Sequence, residues 1–211
     1  MGIHINEKGT EMINRKTKTA VRRTQICRAA LAAIADHGVK GLTISAIAKR
    51  VGMTDSNVYR HFKSKEDIMM ALIDDLADHI MKILADAGKK NNDEIGKLEY
   101  IFTHHVKFME ERKGIPRVLV SDEVMSTNDN VPRRMKEVLF FYLKNVGEIL
   151  SSGRKKGMFG KDCESEIGAS VFLGLIQAMV LQWFVSGYAF SLEKRSEKIW
   201  KIFLKSVSAR S

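Results

Sequence analysis

The chain has 211 residues, 45% of them apolar, which is long and apolar enough to bury a core and argues against global disorder. Its formal net charge is +10, with 13 Lys/Arg against 5 Asp/Glu in residues 1–66 and 22 against 20 in residues 67–211. A basic N-terminal third points to a polyanionic partner, either nucleic acid or an anionic membrane surface. Two cysteines far apart, Cys27 and Cys163, argue against a disulfide framework and fit a reducing cytoplasm, and the N-terminus lacks the apolar core of a secretory signal.

Two prolines among many Leu, Ile, Ala, Met, Lys and Glu predict an all-α chain. Residues 1–18 are polar and mixed, with no helical stripe, and read as a flexible basic arm. From Val21 the pattern becomes helical: Ile26, Ala30, Ala33 and Ile34 share a face, and Gly38 is a stop. A second helix is predicted over 43–51 with Thr43 as N-cap, and a third over about 55–61 with Thr54 as cap. Ser64 opens a fourth, which carries Ile68, Leu72, Leu76, Ile80 and Leu84 inward and stops at Gly88. Further helices are predicted at about 93–112, 117–126, 133–152, 163–187 and 192–207, with breaks at GIP (114–116), NDNVP (128–132) and GRKKGMFGKD (153–162). The result is about nine helices: a small basic head on a larger, near-neutral helical body.

The segment TISAIAKRVGMTDSNVYRHF (43–62) carries the sharpest signal. Ile44, Ile47, Ala48 and Val51 form a buried stripe, Gly52 provides a tight turn, and Met53, Val58 and Phe62 continue the apolar face. Asp55, Ser56, Asn57, Tyr59, Arg60 and His61 are left outward. This is a helix-turn-helix pattern, whose second helix meets base edges in the major groove while hydroxyl, amide and basic groups hold phosphates. A plain helical hairpin has the same spacing, but it leaves unexplained why the donors and the net charge gather here.

The string LTISAIAKRVGMTDSNVYRHFKSKEDI, preceded by IxxAALxxIADHG, resembles the DNA-binding motif of the TetR family of bacterial transcriptional regulators over about 22–70. The resemblance implies that Thr43, Tyr59, His61 and Lys65 touch phosphate or sugar, and that Asp55, Ser56, Asn57 and Arg60 help choose the sequence, with Thr54 beside them. Asp55 departs from the basic residue frequent at that position; it is an acid suited to cytosine N4 or to a helix N-terminus rather than to phosphate. The implied organisation is an arm (1–18), a helix-turn-helix DNA-binding domain (19–66) and an effector-binding and dimerisation domain (67–211).

From Ile167 to Leu192 no residue is charged, long enough to cross a bilayer. Gln177 and Gln182, with serines and glycines, favour a helix buried all round in a bundle or oligomer interface. The family pairs its last two long helices with a second subunit, so helices 163–187 and 192–207 are the expected homodimer interface for reading a palindromic operator. The resemblance also implies a pocket for a small apolar effector, with Phe102, His105, Met109, Phe141, Gln177 and Phe184 as candidate lining residues. Embedded carboxylates are missing from these apolar runs, which disfavours a cationic effector and suits an acyl, lipid-like or aromatic one. Effector binding would bias the spacing of the heads, with helix 64–87 as lever.

No GxSxG, HExxH or P-loop occurs; His104 and His105 point to different sides of a helix, and His79 reads as part of a solvated face. No catalysis, metal or cofactor is expected. The expected function is a cytoplasmic DNA-binding regulator, a repressor released by its effector. The alternatives are a membrane-associated helical protein with a basic head and a soluble ligand carrier.

Overall fold

Helix formation is driven by the apolar stripes and by side-chain caps at helix starts. A computed structural model describes residues 7–91, 93–122, 124 and 130–208, with side chains from Lys18 onward. Among the described residues nine α-helices have defined bounds: α1 (Glu7–His37), α2 (Ile44–Val51), α3 (Asp55–Tyr59), α4 (Lys65–Lys90), α5 (Glu94–Glu111), α6 (Gly114–Leu119), α7 (Asn130–Lys155), α8 (Ser165–Val185) and α9 (Leu192–Val207). Thr43, Thr54, Ser64, Asp93 and Ser191 each cap a helix, accepting from a backbone N–H three residues on.

Several boundaries differ from the sequence expectations. Helix α1 begins at Glu7, so residues 7–18 are helical rather than a loose arm; residues 1–6 lie outside the described part. Met, Glu, Lys and Arg sustain a helix without any apolar stripe, which is why periodicity missed it. Gly88 lies inside α4, which runs two residues further to Lys90 and is capped by Asn91. Its exposed position needs only helical backbone, at a modest propensity cost. The GIP break is instead the start of α6, because a first-turn proline gives up an N–H that lacks an intrahelical acceptor anyway. Likewise α7 begins at Asn130 and takes Pro132 into its first turn. Met125 and residues 125–129 lie outside the described residues.

Two apolar cores form. The first packs Ile26, Ala30 and Ile34 of α1 with Ile44, Ile47, Val58 and Phe62, and with Ile68, Met69, Leu72 and Ile73 from α4. The second takes Leu76, Ile80, Ile83 and Ala87 from the same helix and joins them to α5, α7, α8 and α9. Helix α4 therefore runs through both. Helix α6 backs onto α1 at Gly114, where a Cβ would lie 2.4 Å from the Leu31 carbonyl oxygen, so only glycine permits this approach.

Within the single chain helix α8 is buried on one side, and its other side is the one the expected oligomer interface would cover. Phe172, Ile176, Met179 and Trp183 point inward, while Ile167, Val171, Leu181 and Val185 are exposed. Its length and composition would also suffice to cross a membrane, but within this chain it packs against α5, α7 and α9. Ile202 of α9 is likewise exposed.

Candidate DNA interface and ligand cavity

The head is held in shape by caps at each bend. Thr43 Oγ1 accepts from Ala46 N at 3.1 Å, so the hydroxyl that is expected to meet a phosphate also fixes the start of α2. Gly52 ends α2 in the left-handed region (φ 66), and Met53 N returns to Ala48 O at 2.9 Å. Thr54 Oγ1 accepts from Asn57 N at 3.3 Å and starts α3. Val58 and Phe62 are then fully buried, which turns the rest of α3 outward.

Thr43, Thr54, Asp55, Ser56, Asn57, Tyr59, Arg60 and Lys65 are all exposed on this head. Asp55 occupies the first turn of α3, where a carboxylate suits the helix dipole. His61 is half-buried, and its Nδ1 is buried without a hydrogen-bond partner. Arg23 was not singled out from the sequence, yet it clamps this region. Its guanidinium lies 3.9 Å from the Phe62 ring centroid and donates to the His61 carbonyl, tying α1 to the end of the recognition segment. Arg22, Arg28 and Arg50 line a groove between α1 and α2, and Arg50 pairs with Asp36. Spacing from the α1 stripe could have placed Arg23 beside Ile26, but its reach to Phe62 is a tertiary fact.

In the body, a cavity of about 700 Å³ lies between α4, α5, α6, α7 and α8. His105, Met109, Gln177 and Phe184 line it, together with Ile73, Leu76, Ile80, Tyr142 and Leu173. Phe102 and Phe141 do not. Phe102 packs into the core against Phe172 and Trp200, and Phe141 is exposed on the outer face of α7. The main polar feature of the wall is a pair: His105 Nδ1 lies 3.2 Å from the Tyr142 hydroxyl. Burial, then the nearby His79, pushes the His105 imidazole down to about 4, and burial raises the Tyr142 phenol above its ordinary range. Both are therefore neutral near pH 7.

Other titratable groups serve structure. His79 stacks on Phe108 at 3.9 Å between centroids rather than standing in solvent. Glu94, buried at the start of α5, accepts from Lys156 Nζ at 2.7 Å and from Ser152 at 2.8 Å. The lysine bond chiefly holds its carboxyl down to about 2. Burial pushes the Cys27 thiol up to about 11, which makes it a poor nucleophile.

Two family models match the chain. The family model described as bacterial regulatory proteins, tetR family, matches residues 26–72, and that of the YsiA-like protein C-terminal region matches 67–206. The fatty acid metabolism regulator protein of Bacillus subtilis is 22% identical over 183 residues, 87% of this chain and 94% of that one. The ketosteroid transcriptional regulator KstR2 of Mycobacterium tuberculosis superposes with a TM-score of 0.77 at 17% identity, covering 90% of this chain and 96% of that one. FadR from Bacillus subtilis, solved with stearoyl-CoA, gives a TM-score of 0.72 at 24% identity, covering 86% and 97%. With a matching head, a matching body and the helix order between them, the chain belongs to the tetR family of bacterial regulatory proteins.

Proposed function

We propose that this DNA-binding transcriptional regulator, a homodimer on operator DNA, is a repressor that lets go when a long-chain acyl compound enters the body cavity. The observation that carries this reading is the apolar cavity whose walls include helices shared with the head. Ile73, Leu76 and Ile80 of α4 line it, and Ile68, Met69 and Leu72 of the same helix fill the head core. Pro116 and Leu119 of α6 line it too, and α6 is seated against Leu31 of α1. An occupant that spreads these helices shifts the head by two routes.

Cavity chemistry supports the ligand class. The volume suits a chain-like or drug-sized molecule, and the neutral His105–Tyr142 pair offers hydrogen bonds without a buried charge. The related FadR was solved with stearoyl-CoA, a molecule of this class. Exposed Ile167, Val171, Leu181 and Val185 on α8, with Ile202 on α9, supply the apolar face for the second subunit. Two heads related by a two-fold axis then read a palindrome, with half-sites spaced by a whole number of helical turns. Thr43, Tyr59, His61 and Lys65 hold backbone, and Ser56, Asn57 and Arg60 read bases.

The test is operator binding by the full-length protein, the operator being selected from genomic fragments, with and without stearoyl-CoA and dodecanoyl-CoA. Acyl compounds should weaken binding by about 5–150-fold, the usual range of coupling between two sites. Met109→Trp, which narrows the cavity, should leave DNA affinity intact and weaken the response. DNA affinity unchanged by every acyl compound would sink the proposal.

A further inference from the structure

The cavity lining is unevenly polar. Among its described residues one side chain is charged, Lys136, on the second turn of α7. Lys136 is exposed and its ammonium lies 5.9 Å from the Phe140 ring centroid. Among the described residues, Arg134 holds Asp74 at 2.9 Å and Glu137 at 3.1 Å. Arg133, one turn before Lys136, donates to Asn130. Among the described lining residues, the positive charge of the rim is that of Lys136.

Tyr142 lies six residues further along α7, about 9 Å along the axis at 1.5 Å per residue. There the polar wall is neutral, because burial keeps His105 uncharged at pH 7. Between the two lie Val138 and Leu139 of α7, and Leu173 and Phe184 of α8 line the same cavity. A cation at the rim, an apolar stretch and a neutral polar pair deeper in describe the counterpart of an amphiphile whose charge stays outside. A cationic head would be repelled there, and a neutral one would gain nothing from Lys136.

We infer that Lys136 reads the head group of the effector, which is an acyl chain carrying negative charge at its polar end, either a carboxylate or the phosphates of a thioester carrier. This rests on the cavity being the effector site. The pair at Lys136 is solvent-accessible, so its discrimination is that of an exposed ion pair, about fivefold.

The experiment is displacement of Nile red, a neutral apolar probe, from the full-length protein by dodecanoate, dodecanoyl-CoA and methyl dodecanoate. In the wild-type protein an anionic compound should displace the dye at about fivefold lower concentration than the ester. Lys136→Met keeps the apolar bulk of the stem and should erase that preference; Lys136→Glu should reverse it. Dodecanoate alone outcompeting the ester assigns the carboxylate, dodecanoyl-CoA alone outcompeting it assigns the phosphates, and both outcompeting it assigns negative charge of either kind. Equal displacement by all three, or a preference that survives Lys136→Met, overturns the inference. Bound dye that none of the three displaces refutes the cavity as the acyl site, and the inference falls with it.

Discussion

Replacing Gly114 with alanine should loosen the seat between the head and the body. The new Cβ would stand 2.4 Å from the Leu31 carbonyl oxygen and 3.1 Å from its carbon, against a practical limit near 3.0 Å. Both partners are helix backbone, so neither can swing aside as a side chain would. Helices α1 and α6 must move apart by at least about 0.6 Å, loosening Ile115 and Val118, which are 4% and 2% exposed. Overpacking of this kind costs about 1–3 kcal/mol. For a chain of this size each kcal/mol lowers Tm by about 2–4 °C, so a fall of roughly 3–10 °C is expected by calorimetry. Operator affinity should drop in the same protein, because the seat of the head has shifted. Gly88→Ala is the control: nothing lies within 4 Å of its Cβ, and alanine in the last turn of the helix should stabilise by up to about 0.5 kcal/mol. Unchanged Tm and unchanged operator affinity in Gly114→Ala would refute the close backbone approach.

Other consequences are as direct. Tyr59 is 52% exposed, so Tyr59→Ala should leave the fold intact and weaken operator binding about 5–10-fold, as titrated by fluorescence anisotropy. Lys65→Gln should lower the salt slope of log K by about 0.9 for each head, with sequence preference unchanged. His105 has a folded-state pKa of about 4 against an ordinary 6.5, so the unfolded chain takes up the proton first as pH falls. Its contribution is complete above about 6.5 and is lost progressively down to about 4, amounting to roughly 3 kcal/mol. Urea midpoints at pH 7 and pH 5 should differ less in His105→Phe than in the wild-type protein. Lys156→Met leaves the Glu94 carboxylate with Lys97 at 3.6 Å and Ser152 as partners, and should cost about 1–3 kcal/mol in chemical denaturation.

The head was legible because its determinants are local. Thr43, Gly52, Thr54 and Ser64 lie within a few residues of the groups they hold, and the Ile44–Ile47–Ala48 stripe repeats at helical spacing. The cavity was legible only in its chemistry. Period places His105 and Met109 on an inward face, but Phe102 shares that face and ends in solid core. Whether an inward residue meets a neighbour or a void depends on how α4, α7 and α8 stack, and no short segment encodes that. Phe141 shows the converse error: aromatic character suggested burial, whereas its turn of α7 faces outward. The helical character of residues 7–18 was hidden because a helix without an apolar stripe leaves no periodic trace.

Helix α4 has a further consequence for anyone wishing to recombine this protein. The composition shift near residue 66 invites a cut there, but the first two turns of α4 are bricks in the head's own core. Val118, Val124 and Val131 also close that core, from far along the chain. A fragment ending at 66 would expose Ile26, Ile34 and Phe62 to water. A chimera that exchanges recognition specificity must therefore splice inside α4 beyond Ile73 and carry matching α6 contacts, or graft only the outward residues of α3 onto the native frame.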